Sequence, residues 1–377
     1  MKKLCAFGLL CFVAWGVAAQ TTAKLRNPKT PPIHASQANQ LGSCVPAGHA
    51  DAQSLAQTWG ATLATEGMHS PNARAARAQW KLAAQCYRQA AMLEPTNGQA
   101  NNSQANNSQA TKSQAINGWG MALGLEARAL AATNLPAARA MFRQAGEKFA
   151  LALQLNRQNS VAAYHWGIAL GDEAMAITAA VASDLPADFP GAGVLWDLAR
   201  QKYALAQELD HNNAQIADNW GGTYAVQAQA LAGSDLPAAR ALWQQAYNRF
   251  TLATHIDPAH LDAAHNLAGA MLAERAALLK SPSPQLPLSP QAVAEAADLL
   301  QRAKKVLLAD ADNPNAKAAY NLACMYALEG HTAQAMQYLQ RSATAGKLPH
   351  KSHIAQDSDL DALRNTPAFA AWFAQLQ

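Results

Sequence analysis

Large apolar residues recur three to four apart along most of this 377-residue chain, with alanines between them. That period predicts helices that each bury one face. It is plain in Ala162-Ala163-Tyr164-His165-Trp166-Gly167-Ile168-Ala169-Leu170. The phrase at its centre, a large apolar residue followed by a tiny one, returns six times. It reads Trp59-Gly60, Trp119-Gly120, Trp166-Gly167, Trp220-Gly221, Leu267-Ala268 and Leu322-Ala323, at spacings of 60, 47, 54, 47 and 55 residues. A second helical stretch follows each time, anchored by Tyr87, Phe149, Tyr203 and Phe250, with Val306 in the fifth unit. Each unit is predicted to be two helices that cannot bury their apolar stripes alone and must stack on their neighbours. Glycine inside a helix costs about 1 kcal/mol against alanine. Four glycines at one repeat position therefore predict a close approach of two helices there.

The links between paired helices also repeat: Thr133-Asn134-Leu135-Pro136, Ser183-Asp184-Leu185-Pro186 and Ser234-Asp235-Leu236-Pro237. Asn and Asp accept backbone hydrogens at helix starts, and proline fits the first turn. The fifth link is the proline-rich stretch from Ser281 to Pro290. In the last unit, Tyr320-Asn321-Leu322-Ala323-Cys324-Met325-Tyr326-Ala327-Leu328-Glu329-Gly330 precedes Ala335-Met336, Tyr338-Leu339 and Ala343. With Asp257-Pro258 and Asn313-Pro314 at repeat ends, these residues resemble the tetratricopeptide repeat (TPR) family, over roughly residues 48 to 345. The resemblance implies an all-α fold, a right-handed α-solenoid of about six long TPR-like helix pairs closed by a C-terminal capping helix. Units of about 50 residues depart from the family repeat of about 34, and so leave the curvature open.

Outside the repeats, residues 1–19 read as an export signal. Lys2 and Lys3 precede an apolar run from Leu4 to about Trp15, and Val17-Ala18-Ala19 offers a cleavage point. The run is short for a bilayer span of about 20 residues; an uncleaved inner-membrane anchor stays open as the alternative. A periplasmic location follows as the expectation. Residues 20–47 are a polar, proline-bearing lead-in. Within the repeats, residues 98–115 carry the tandem phrase Asn-Asn-Ser-Gln-Ala and are expected to form a loop insert with nothing to bury. Residues 346–377 are expected to form the cap, with Leu360, Leu363, Phe369 and Trp372 covering the end of the stack.

Composition narrows the function. The formal net charge of +4 falls to near +2 without Lys2 and Lys3, too weak to imply nucleic acid as partner. An oxidising compartment lets Cys44 and Cys86 pair, stapling the lead-in to the first unit, but spacing alone does not decide it. Cys324 reads as a small apolar filler. The chain has no Gly-rich phosphate loop, His-Glu-x-x-His, Cys-x-x-Cys or Gly-x-Ser-x-Gly, so no enzyme activity and no cofactor are expected. His255, His260 and His265 are five apart with a turn between, a poor zinc spacing, and no metal is expected.

In the TPR family the first helices line a concave groove. The position two before each landmark holds Gln57, Asn117, Tyr164, Asp218, His265 and Tyr320, with Asp172, Asp262 and Lys317 nearby. The resemblance implies that Asn117, Tyr164, Asp172, Asp218, Asp262, His265, Lys317 and Tyr320 bind a peptide or helix of a partner protein; a merely solvated helix face is the alternative. A chaperone-tail clamp is not expected, since Lys317 is the one basic residue in that set. The expected function is an exported scaffold or adaptor. A periplasmic module binding a small ligand, a glycan or metal, is the alternative, and a rigid spacer in an envelope assembly a third reading.

Overall fold

The computed structural model describes residues 44, 52–70, 72–93, 102–181, 191–280, 288–309 and 318–376. The segments expected to be the export signal and most of the lead-in lie outside them, as does Lys317. Every described regular element is helical. The chain divides into two compact units, with the division between residues 216 and 217.

The first unit holds α1 (Ala52–Met68), α2 (Ala73–Met92), α3 (Asn102–Ala131), α4 (Leu135–Leu155), α5 (Ser160–Val181) and α6 (Ala192–Leu209). The predicted cap at Asn134 operates here, and Asn72 and Asn159 supply two more. Asn72 accepts from the Ala75 amide at 2.8 Å, and Asn134 from that of Ala137 at 3.1 Å with Pro136 in the first turn. Asn159 does the same for α5, accepting from the Ala162 amide at 3.0 Å. Each cap satisfies one of the donors a helix start leaves without a partner.

The expected loop insert is corrected. Residues 102–115 open α3, a 30-residue helix, instead of forming a loop. Elongating a helix adds about one hydrogen bond per residue fixed, whereas nucleation is the costly step. Ala and Gln are good formers, so the neighbouring amphipathic helix propagates back through the polar tract. Its inner end is tied down. Buried Ser113 donates to the Ala152 carbonyl and accepts from Asn159 Nδ2, both at 2.8 Å, fastening α3 to the end of α4 and the start of α5. Cys44 and Cys86 form a disulfide, and the Cys44 amide donates to Gln89 Oε1 at 2.8 Å. Cys44 is thereby fixed to α2.

The second unit holds most of α7 (Ala214–Leu231), then α8 (Leu236–Ile256), α9 (Leu261–Leu278), α10 (Pro290–Leu308), α11 (Ala318–Leu328) and α12 (Thr332–Thr344). Asp235 caps α8 through the Ala238 amide at 3.0 Å, and Ser289 caps α10 through that of Ala292 at 3.1 Å. The expected single capping helix is instead four short pieces: α13 (Lys351–Gln356), a 3-10 turn (Ser358–Leu360), α14 (Asp361–Arg364) and α15 (Pro367–Ala374). The Asp357 side chain accepts from the Asp359 amide, and Thr366-Pro367 restarts the chain, so local competitors break the helix. Leu360, Leu363, Phe369 and Trp372 are nonetheless buried, packed with Cys324, Ala327 and Leu339.

The glycines of the landmark phrase do more than let backbones approach. Each seats the aromatic anchor of the following helix. A Cβ on Gly60 would lie 2.9 Å from the Tyr87 ring, on Gly120 2.7 Å from Phe149, on Gly167 3.2 Å from Tyr203 and on Gly221 2.7 Å from Phe250. Tyr87 is gripped from both sides, since Gly118 on α3 would meet it at 2.3 Å.

Candidate functional site

The residues expected to line an open groove are mostly inside the packing. Tyr164, Asp218 and Tyr320 are 3, 1 and 5% exposed, and Asn117 and Asp172 are also buried; Asp262 and His265 are half-buried. This corrects the reading of them as an accessible wall. The physical reason is a seam between successive first helices. At two of these seams the residue just before one landmark hydrogen-bonds to the residue two before the previous landmark. His165 Nδ1 lies 3.0 Å from Asn117 Oδ1, and Asn266 Nδ2 donates to Asp218 Oδ1 at 2.9 Å. Gln57 spans the same gap differently, donating to the Thr111 carbonyl at 2.9 Å. Burial holds His165 down to about 4, keeping it neutral. Polar side chains sit here because each has a partner, which is what burial demands.

The histidine cluster is likewise taken up by packing. His260 Nε2 meets Asp218 Oδ2 at 3.1 Å, and the hydrogen bond to Asp218 raises the histidine above its ordinary value. Among the described residues, no three His, Cys, Asp or Glu side chains converge as metal ligands. In the cap, Tyr320 donates to Asp357 Oδ2 at 2.8 Å, with Cys324 Sγ 3.6 Å from the same oxygen. Burial, first of all, pushes the Cys324 thiol well up, so this cysteine is a poor nucleophile.

Two repeated devices escaped the sequence reading, though their signals were present. The first is a glutamate seven residues after each landmark, at 66, 126, 173, 274 and 329, with Gln227 in the fourth place. Four of these receive a cation from the second helix of the preceding pair. Arg77 meets Glu126 at 3.4 Å, Arg139 meets Glu173 at 3.1 Å, Arg240 meets Glu274 at 2.9 Å and Lys304 meets Glu329 at 2.7 Å. Glu274 also accepts from the Tyr247 hydroxyl at 2.6 Å. The arginines stand ten residues before the anchors Tyr87, Phe149 and Phe250.

The second device is a cation directly before the anchor. Lys148 Nζ lies 4.4 Å from the Trp119 ring centre, Lys202 Nζ 3.9 Å from Trp166, and Arg249 Cζ 3.5 Å from Trp220. These are cation–π contacts. They explain why tryptophan recurs: its indole packs on the core side and carries a charge on its outer face. Trp119 carries two, since Arg88 Cζ of α2 is 5.9 Å away.

What the arrangement offers chemically is surface, with buried carboxylates paired to cations and several buried polar groups linked from helix to helix. An accessible cationic surface is on α2, where Arg74, Lys81 and Arg88 are all exposed and no acidic residue occurs along the helix.

No family model matches the chain, and no curated protein matches it. Among solved structures it is similar to the human IFIT1 dimer with PPP-AAAA, at 13% identity over 83% of this chain and 81% of that one, with a TM-score of 0.23.

Proposed function

We propose that this chain is an exported, non-enzymatic adaptor whose stacked helix pairs hold a partner protein in the bacterial envelope. The observation that carries the reading is repeated fastening: an Arg–Glu or Lys–Glu clip joins one helix pair to the next at four places, and an aromatic-on-glycine seat closes four of the pairs. A chain that spends its recurring polar residues on holding helix pairs in register presents a preorganised surface, which lowers the entropic cost of docking a partner. The TPR resemblance of the last unit and the Lys-Lys-apolar start of the sequence support the same reading. Binding then belongs on exposed faces, and the buried seam residues Asn117, Tyr164, Asp218 and Tyr320 support the scaffold. The small-ligand alternative has no specific observation in its favour, because His260 is committed to Asp218.

The test is in-cell crosslinking, purification from the envelope fraction and mass spectrometry of what is attached. A recurrent protein partner in stoichiometric yield is the expected outcome. A free monomer that instead shifts its melting temperature with metals or cell-wall fragments removes the adaptor reading.

A further inference from the structure

We infer that the exposed face of α2 is the docking site, and that its occupant is an acidic amphipathic helix of the partner protein. The inference rests on the adaptor reading and adds the place and chemistry of the contact. The α2 helix buries Ala76, Trp80, Ala83, Tyr87 and Ala90. Its opposite face shows Arg74, Ala78, Lys81, Gln85, Arg88 and Met92, all exposed. Those positions advance by four and three, so they form one straight stripe along a helix. The stripe is roughly 27 Å long at 1.5 Å per residue.

Three features of the stripe select its occupant. The cations Arg74, Lys81 and Arg88 fall seven residues apart, and α2 contains no Asp or Glu to balance them. A second helix with a carboxylate every seventh residue meets that spacing charge for charge, since both have the same rise. The cations are also under-used. Arg77 and Lys81 share the buried Glu126, at 3.4 and 3.6 Å. Among the described residues Arg74 and Arg88 have no carboxylate in ion-pairing range. Finally, the stripe ends apolar. Met92 is 62% exposed, and Arg88 leans over Trp119, whose ring also carries Lys148. One apolar side chain of the occupant, beside its last carboxylate, fits that end. Charge pairing sets the register and the encounter rate, and the apolar end contributes the desolvated contact.

The probe is a 21-residue helical peptide with Glu at every seventh position and one Leu beside the last Glu, labelled and titrated against the purified chain by fluorescence anisotropy. A matched peptide with Gln for each Glu is run beside it. Expected are saturable binding of the Glu peptide, at least tenfold weaker binding of the Gln peptide, and a further loss at 0.5 M salt. The triple variant Arg74→Gln, Lys81→Gln, Arg88→Gln should lose at least tenfold, while Arg341→Gln with Lys347→Gln on and just past α12 should lose less than twofold. Far-UV circular dichroism and the melting temperature verify that both variants fold. Equal binding by the triple variant or by the Gln peptide overturns the inference. So does tighter binding to phosphatidylglycerol vesicles or polyphosphate, or self-association that the triple variant abolishes. A crosslinked partner retained by the triple variant sinks this surface and leaves the adaptor reading standing; no partner for either protein sinks the adaptor reading itself.

Discussion

An alanine at residue 120 or 221 would bring its Cβ to 2.7 Å from the ring of Phe149 or Phe250. The intrinsic gain of roughly 1 kcal/mol from replacing a helical glycine is then opposed by overpacking of about 1–3 kcal/mol. Gly120→Ala and Gly221→Ala are expected to be net destabilising in urea unfolding. Gly193→Ala, where a Cβ meets nothing within 4 Å, is expected to be neutral or stabilising by up to about 1 kcal/mol. If all three variants shift stability alike, the seat-on-glycine account is wrong. Glutamate 274 gives a second test at this scale. It is 5% exposed and takes hydrogen bonds from Arg240 and Tyr247. Glu274→Ala leaves the buried Tyr247 hydroxyl only the Ala270 carbonyl, 3.5 Å away, and about 2–4 kcal/mol of destabilisation is expected. Glu274→Gln, which keeps an acceptor, should cost less. The recurring glycine was legible in the sequence, and the recurring glutamate was present there too. What the sequence could not give was the partner across the gap, because an ion pair between different repeats has no local signature.

At the scale of elements, Ser113 and the Cys44–Cys86 bridge hold the first unit together at its joints. Ser113→Ala leaves the Ala152 carbonyl and the Asn159 amide each short of a partner in a buried place. A loss of about 1–3 kcal/mol is expected, seen as a lower unfolding midpoint with an unchanged slope. The disulfide closes a sequence separation of 42 residues. Chain-entropy reasoning gives about 2–5 kcal/mol for such a loop, so Cys44→Ser should lower the melting temperature, and reductant should no longer affect the variant. The same scale shows where period reading fails. The Asn-Asn-Ser-Gln-Ala tract has no apolar stripe, so it looked like a loop, yet residues 102–115 extend α3. Helix propagation from a packed neighbour is a non-local cause, invisible to a window that contains only the tract.

For the molecule as two units, acid and base act in opposite directions. His165, in the first, is held at about 4 by burial against an ordinary 6.5. Its unfolded form takes up the proton first, so stability is complete above pH 6.5 and lost as pH falls toward 4. Asp359, in the second, is raised from 3.8 to about 6, by burial first and then by Asp357. Its folded form keeps the proton longer, so that contribution is complete below pH 3.8 and lost as pH rises through 6. Each shift is worth at most about 3 kcal/mol. Thermal scans at pH 4.5 and 7.5 should show His165→Gln flattening the acid-side loss and Asp359→Asn flattening the loss above pH 6. Superimposable pH profiles for parent and variants would contradict both assignments.

By itself the sequence determined the period, the helix pairs, the caps at Asn134 and Asp235, and the anchors that pack inside, because these depend on neighbours within one or two helical turns. Tertiary structure decided accessibility. Tyr164, Asp218 and Tyr320 looked like groove residues, since polar or amphipathic side chains on a helix usually face water. They are buried because the adjoining helices supply hydrogen-bonding groups such as Asn266 and Asp357. Burial of a polar group is set by whether a partner arrives from elsewhere in the chain, and only the folded chain brings that partner within reach.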